Sequence, residues 1–384
     1  MKENVINRVW VCAMLLFAVA CNVKAQVAEA MPSINIVGVV KNNKSLALGG
    51  LANVVSEDAF GLQIGGLYNH IGDAGCGLAI AGLANTTLGH YYGAQIGGVW
   101  NYATEAKGLM IGGLGNMTRG DFDGLQLAGL TNIAKQTRGL QISGLANISE
   151  ETYGLQLAGL VNVSKDMCGL QLSGLTNIAD DAYGLQLSGL ANVADDVYGL
   201  QFAGLFNVAR RARGVQFAAL VNVAEESDFP IGLINIIKQG DKGVAFTYDM
   251  LGNTTLSFRS GGKYAYGILG VGCNPRISDK FVAEAGYGFR IPICDWVSIN
   301  NELKATAMGF KADNMPRNFS YLLAPSVTLW KHCNLFGGPS LNFLMSDADE
   351  ANGLPLGKNL WDKESDKGLR CLYVGYQVGL QYIF

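Results

Sequence analysis

Catalysis needs an acid, a base or a nucleophile brought to one place, and this chain offers such residues in no repeated arrangement. It has three histidines, His70, His90 and His332. His70 fills a position that the other repeats give mainly to Val and Ile, which reads as a core or edge histidine. His90 is expected in a turn, and His332 stands beside Cys333 in another. No Cys/His spacing matches a zinc site. The acidic pairs Asp180-Asp181 and Asp195-Asp196 recur without the Gly-Asp pattern of calcium-binding repeats, and read as solvated turn charges. A serine–histidine site acting on envelope lipids is the one enzyme alternative. The expectation is a non-enzymatic protein with no cofactor and no metal.

What does recur is an amide. The phrase "GLQLAGLVNVSKDMC", Gly154 to Cys168, returns with small changes in copies that begin at Ser45, Gly61, Gly77, Gly93, Gly108, Gly124, Gly139, Gly154, Gly169, Gly184, Gly199 and Gly214. A shorter thirteenth copy runs from Asp228 through "FPIGLINI", and "SINIVGVV" from Ser33 is a degenerate opener. The spacing is mostly 16 residues early and 15 later. Count each first residue as position zero. Position eight is then Asn in all twelve full copies, Asn53, Asn69, Asn85, Asn101, Asn116, Asn132, Asn147, Asn162, Asn177, Asn192, Asn207 and Asn222, and the shortened thirteenth aligns Asn235 with them. Position two is Gln in nine of the twelve full copies, while the last five positions vary as a solvated turn does.

Elements that could position these amides come in two kinds. A short, regular period is the signature of a stacked repeat. In a β-solenoid each copy is one coil, identical residues stack about 4.8 Å apart, the leucines form a core, and Asn and Gln form hydrogen-bonded ladders. In the alternative, each copy is one strand of a single large antiparallel meander barrel, a porin-like transporter. Turns of nearly uniform length favour the solenoid, because membrane barrels alternate short and long connections. So does the thirteenth copy, whose "IGL" is one residue shorter than the usual "LAGL": a deletion inside a strand flips all later side chains, whereas at a Gly corner it only tightens the bend. The early alternation of Ala47, Gln63, Ala79, Gln95 and of Ala52, Tyr68, Ala84, Trp100 points instead toward antiparallel pairing. Pro230, at the Gln position, would end the stack.

The first 25 residues read as a secretory leader: Lys2 and Arg8 precede the apolar run Val9–Ala20, and "VKA" fits cleavage after Ala25. Cys21, closing "AVAC", offers the alternative of lipoprotein processing. The net charge of −3 gives no basic surface for nucleic acid. Cys76, Cys168, Cys273, Cys294, Cys333 and Cys371 are irregularly spaced and read as small apolar fillers, not a disulfide framework.

Beyond the repeats the period changes to two. In "CLYVGYQVGLQYIF" the residues Leu372, Val374, Tyr376, Val378, Leu380, Tyr382 and Phe384 share one face, opposite Cys371, Tyr373, Gly375, Gln377, Gly379 and Gln381. The same parity sets Glu284, Arg290, Glu302 and Lys304 on the inward side of their strands. Eight strands are expected, at 243–250, 254–260, 263–273, 280–291, 297–310, 319–330, 334–346 and 369–384, joined by short connections at one end and mostly long ones at the other. An eight-stranded barrel has a filled interior, so its charges must pair.

Parity, turn asymmetry and the terminal Phe384 make this segment resemble a small bacterial outer-membrane β-barrel. Residues 45–236 resemble the short Gly-Leu-Gln/Asn surface repeats of bacterial envelope proteins, a resemblance that implies no catalytic residues. The chain therefore reads as all-β: a leader over 1–25, a β-solenoid of 15–16-residue coils over 33–237, and an eight-stranded antiparallel barrel over 243–384. The resemblance implies an outer-membrane location in a Gram-negative cell. Its expected partners are the outer-membrane lipid bilayer, the barrel-assembly machinery and an unidentified protein or glycan. The repeats would serve as a rigid scaffold or binding surface, on the periplasmic side by strand count.

Overall fold

A computed structural model describes residues 33–277, 280–309, 315–346, 354, 358–365 and 368–384. The expected leader and Cys21 lie outside these residues. The described chain is all-β, and its two compact units are Met1–Glu150 and Glu151–Phe384. The boundary falls within the repeats, so the later coils share a unit with the barrel.

In both units the repeats are coils of a β-solenoid, and their strands pair in parallel with the equivalent residues one copy on. Asn85 sits opposite Asn101 and Gly93 opposite Gly108 in the first unit; Asn177 sits opposite Asn192 and Gly184 opposite Gly199 in the second. The opener Ser33–Val40 pairs in parallel with the first full copy. Parallel pairing excludes the single meander barrel. It also explains the early alternation, which is a matter of stacking. Trp100 covers the space beside Gly115, where a Cβ would meet its ring at 2.1 Å. Gly at position zero is needed twice over: Gly184 has φ 130°, and a Cβ there would lie 2.1 Å from the Gly169 carbonyl oxygen.

The leucines are not the core. Position two (Gln), position four (small) and position eight (Asn) point inward with positions ten and thirteen, as Gln186, Asn192, Ala194 and Val197 illustrate. Leucines at positions three and six point outward: Leu157, Leu160, Leu175, Leu190 and Leu220 are all exposed. The interior has an amide side and an apolar side. Met167, Ala182, Val197 and Ile237 form the apolar side in the second unit, and Ile71, Tyr91, Met110 and Phe122 do so in the first. The alternation within the phrase defines two faces, and only the ladder chemistry decides which is inside.

After the last coil, nine strands follow: β1 (Lys242–Asp249), β2 (Thr254–Gly261), β3 (Ala265–Cys273), β4 (Phe281–Cys294), β5 (Val297–Met308), β6 (Arg317–Trp330), β7 (Cys333–Ser346), β8 (Lys358–Ser365) and β9 (Gly368–Ile383). Eight of them pair antiparallel in sequence, and β9 returns to β1 to close the barrel, with Phe246 opposite Leu380. The ninth, β8, falls in a stretch that the sequence pattern assigns to a long connection. It pairs with the upper half of β9, Trp361 opposite Leu372, beyond the segment that β1 covers. At the short-turn end only 262–264, 295–296 and 331–332 separate successive strands.

Candidate functional site

Three features could carry function: the amide ladder, the outer face of the coils, and the barrel interior. The ladder is continuous within each unit. In the second, Asn162 Nδ2 donates to Asn177 Oδ1 at 3.0 Å, and Asn177, Asn192, Asn207 and Asn222 each donate onward in turn, ending at Asn235. In the first, the same chain of bonds runs from Asn53 through Asn69, Asn85, Asn101, Asn116 and Asn132 to Asn147. Most of these amides also tie down the backbone at the corner. Asn177 Nδ2 lies 2.7 Å from the Leu187 carbonyl of the next coil and 3.3 Å from the Gln171 carbonyl of its own. A carbonyl beside the Gly-Leu corner would otherwise be left buried without a donor, which accounts for the Asn in every copy.

The Gln ladder runs the other way. Gln171 donates to Gln156, Gln186 to Gln171, Gln201 to Gln186 and Gln216 to Gln201, at 2.8–2.9 Å. The two rows of amide dipoles therefore oppose each other along the stack. Pro230 sits opposite Gln216, and the buried Gln216 Oε1 has no hydrogen-bond partner, so this ladder ends there. The shortening in the thirteenth copy occurs at two places: one residue is lost between Ala212 and Val215 in the register with Ser227 and Phe229, and a second at the Gly-Leu corner, since Phe217 pairs with Ile231 but Val221 with Ile234.

The outer face is chemically divided. Across all thirteen copies, positions one, three, six, seven and nine contain no Asp, Glu, Lys or Arg. Charges gather at the opposite corner, positions eleven, twelve and fourteen, where they pair between coils. Asp196 accepts hydrogen bonds from Arg211 and an ion pair from Arg210 at 2.9 Å. The Arg211 hydrogen bond holds the Asp196 carboxyl below its ordinary value. Burial, then the Asp196 charge, pushes Asp181 up. The Asp pairs are thus part of the charged corner. In the second unit a furrow of ≈ 460 Å³ runs along the apolar side, walled by Leu157, Leu172, Leu187, Phe202 and Phe217.

The histidines do not converge. His70 stacks on Tyr68, ring centroids 6.2 Å apart, and partial burial lowers its pKa. His90 lies within the strand Ala84–Gly97, not in a turn, and pairs with Glu105 at 3.0 Å. His332 occupies its expected tight turn, with Nδ1 3.0 Å from the Ile383 carbonyl oxygen. Among the described residues no three His, Cys, Asp or Glu side chains gather as a metal site would need. The reading of the cysteines as fillers fits Cys371, which is buried, but Cys76, Cys168, Cys273 and Cys294 are exposed.

The charged side chains inside the barrel form a paired network between buried apolar clusters. Arg259 donates to both carboxylate oxygens of Glu302 at 2.7 and 3.2 Å, with side chains 1% and 0% exposed. Tyr266 Oη donates to Glu302 at 2.8 Å, and the Phe336 ring lies 4.2 Å from the guanidinium carbon. Glu284 pairs with Lys304 at 3.4 Å and accepts from Thr255 at 3.2 Å; Lys304 also bonds Gln377. Arg290, near the short-turn end of β4, lies over the inward-facing Tyr266 ring at 5.5 Å and pairs with Asp241 beside the first strand. Arg259 was the partner missing from the sequence reading. A polar cavity of ≈ 10 Å³ near Lys304, Asn318 and Asn342 holds no more than one water.

The last coil docks on the outside of the barrel. Ser260 faces outward on β2, two positions from the exposed Phe258. Its Oγ accepts from the Asn235 backbone N–H at 2.9 Å, and its carbonyl accepts from Asn235 Nδ2 at 3.0 Å. Gly267 on β3 lies against the Gly232 and Leu233 carbonyls, and Phe229 stacks on Tyr264 with centroids 5.0 Å apart. No known protein-family model matches the chain, and neither a curated protein nor a solved structure matches it.

Proposed function

We propose that the chain is a non-enzymatic outer-membrane protein of a Gram-negative envelope, anchored by its barrel and presenting the repeats as a rigid scaffold. One observation carries the reading: the barrel's outer surface is apolar, while its paired charges Arg259, Glu284, Glu302 and Lys304 face inward beside buried apolar clusters. Exposed side chains on its outer surface include Phe246, Leu256, Val271, Leu303, Leu323, Val374, Val378 and Leu380, while the charges face inward and pair. Such a surface is costly in water and matched to hydrocarbon.

Support also comes from the short-turn rim, where Trp296, Trp330, Tyr382 and Phe384 are exposed, as interfacial aromatics are in membrane barrels. Strands of 8–16 residues include those long enough to cross a bilayer when tilted. The filled lumen argues for an anchor and against a conducting pore. With eight crossing strands, the repeats and Phe384 lie at the short-turn end, and short turns on the periplasmic side are the usual pattern of membrane barrels, which supports a periplasmic position for the repeats. The test is fractionation of cells producing the full chain. Retention in membranes after carbonate and urea washes, with release by detergent, is expected; recovery in the wash would overturn the reading.

A further inference from the structure

The apolar outer face of the coils needs an occupant, and the docking of the last coil orients it. Along the barrel wall, Ser227 and Pro230 meet Gly262 in the tight turn and Phe229 meets Tyr264 beside it. Gly232 and Leu233 meet Gly267. From Tyr264, the last residue before β3, to Gly267 is three residues, about 10 Å at strand rise, and the direction is away from the turns toward the exposed Val271. The Gly-Leu corner of the coil thus points toward the barrel's apolar belt. The charged corner, with Ser227, Asp228, Lys238 and Gln239, stays at the rim. Because it is the open backbone edge of the coil that meets the outer surface of β2 and β3, the stack leaves the barrel from its side wall.

Parallel, in-register stacking carries this orientation along the second unit. Leu220, Leu190, Leu175 and Leu160 repeat the position of Leu233, and Val208, Val193 and Ile178 flank them, all exposed. The charges lie on the far corner, where Asp196 meets Arg210 and Arg211.

We infer that the leucine corner of the coils in Glu151–Ile237 lies on the lipid leaflet that surrounds the short-turn half of the barrel, as an in-plane amphipathic solenoid. This rests on the membrane reading above. A lipid surface fits because it takes an uncharged face of any length, requires no complementary pattern, and leaves the opposite charged corner in water. The leucine corner then continues the apolar belt of the barrel sideways.

The test uses the full chain in phospholipid vesicles, with the photocrosslinker p-benzoylphenylalanine replacing one residue at a time. Leu175 and Leu190 probe the corner, Asp180 and Asp195 the charged edge, and Tyr376 the barrel belt; Leu160 and Leu220 stand in if the first two disturb folding. Lipid adducts are expected from Leu175, Leu190 and Tyr376, with none above background from Asp180 and Asp195. Adducts from Tyr376 without any from the leucines would overturn the inference and leave the anchor intact. A crosslinked dimer from the leucines would overturn it in favour of a second copy. Absence of adducts from Tyr376 would overturn the anchor itself.

Discussion

Asn235 closes its ladder on Ser260: the last repeat amide donates to the carbonyl of a barrel residue at 3.0 Å, as Asn192 and Asn207 donate to carbonyls of their next coils. The barrel wall takes the place of a fourteenth rung. The open edge of a parallel sheet, otherwise a site for pairing with other chains, is thereby covered.

Breaking this junction should free the last coil without unfolding the barrel. A side chain at Gly267 would meet the Gly232 and Leu233 carbonyls at 2.2 and 2.3 Å, so Gly267→Val is the severe variant. Ser260→Ala removes only the acceptor of the Asn235 N–H, at about 1–3 kcal/mol. Hydrogen exchange should rise over 227–240 in both, more in Gly267→Val, with β5 and β6 unchanged. Uniform loss of protection would contradict the junction.

Within the ladder, Asn177 makes four side-chain bonds. Asn177→Ala strands the Leu187 carbonyl and Asn192 Oδ1, and should cost about 2–5 kcal/mol. Asn177→Asp should cost more, because a buried carboxylate cannot donate to either. Asp180→Ala at the charged corner should stay within about 0.5 kcal/mol. Urea unfolding measures all three.

In the barrel, Glu302→Leu leaves the Arg259 guanidinium buried without its partner, a loss of about 3–5 kcal/mol. The double variant Arg259→Met with Glu302→Leu should recover most of that, because neither charge then remains buried. Unfolding midpoints in detergent would test it; a double variant no better than the single would show that the pair itself is not the source of the loss.

The charged corner should impose opposite pH dependences on two neighbouring aspartates. Asp196 has a lowered pKa, so its stabilising contribution is present above the unfolded value of about 3.9 and is lost as pH falls through the folded value. Asp181 has a raised pKa, so its contribution is full below the unfolded value and lost as pH rises through the folded one. Asp181→Asn should therefore raise the unfolding midpoint at pH 7 and change it little at pH 3. Arg211→Ala should lower it at pH 7 and have less effect at pH 3.

The barrel was legible almost strand by strand, because parity fixes the facing once one side carries Glu284, Glu302 and Lys304 and the other Leu303 and Ala305. The repeat period and the Asn column were legible too. The facing of the leucines was not: "LQL" alternates equally well either way, and burying the apolar set is the ordinary default. Here the corner carbonyls need Asn inside, and the leucines follow to the outside. Arg259 escaped notice because its partner Glu302 lies 43 residues away, a pairing that no local spacing reveals. Strand β8 lies in a polar stretch without alternation, and only β9 shows where it pairs.

The central claim, a barrel that spans the membrane with its short-turn rim and its repeats on the inner side, is tested most directly by native cysteines. Cys273 ends β3 at the long-loop end, Cys294 ends β4 at the short-turn end, and Cys168 lies in the repeats, all exposed. A polyethylene-glycol maleimide too large to cross the outer membrane, applied to intact cells, should modify Cys273 alone among these three. Cys168 and Cys294 should react only after the outer membrane is permeabilised. Equal modification of all three in intact cells would contradict the account.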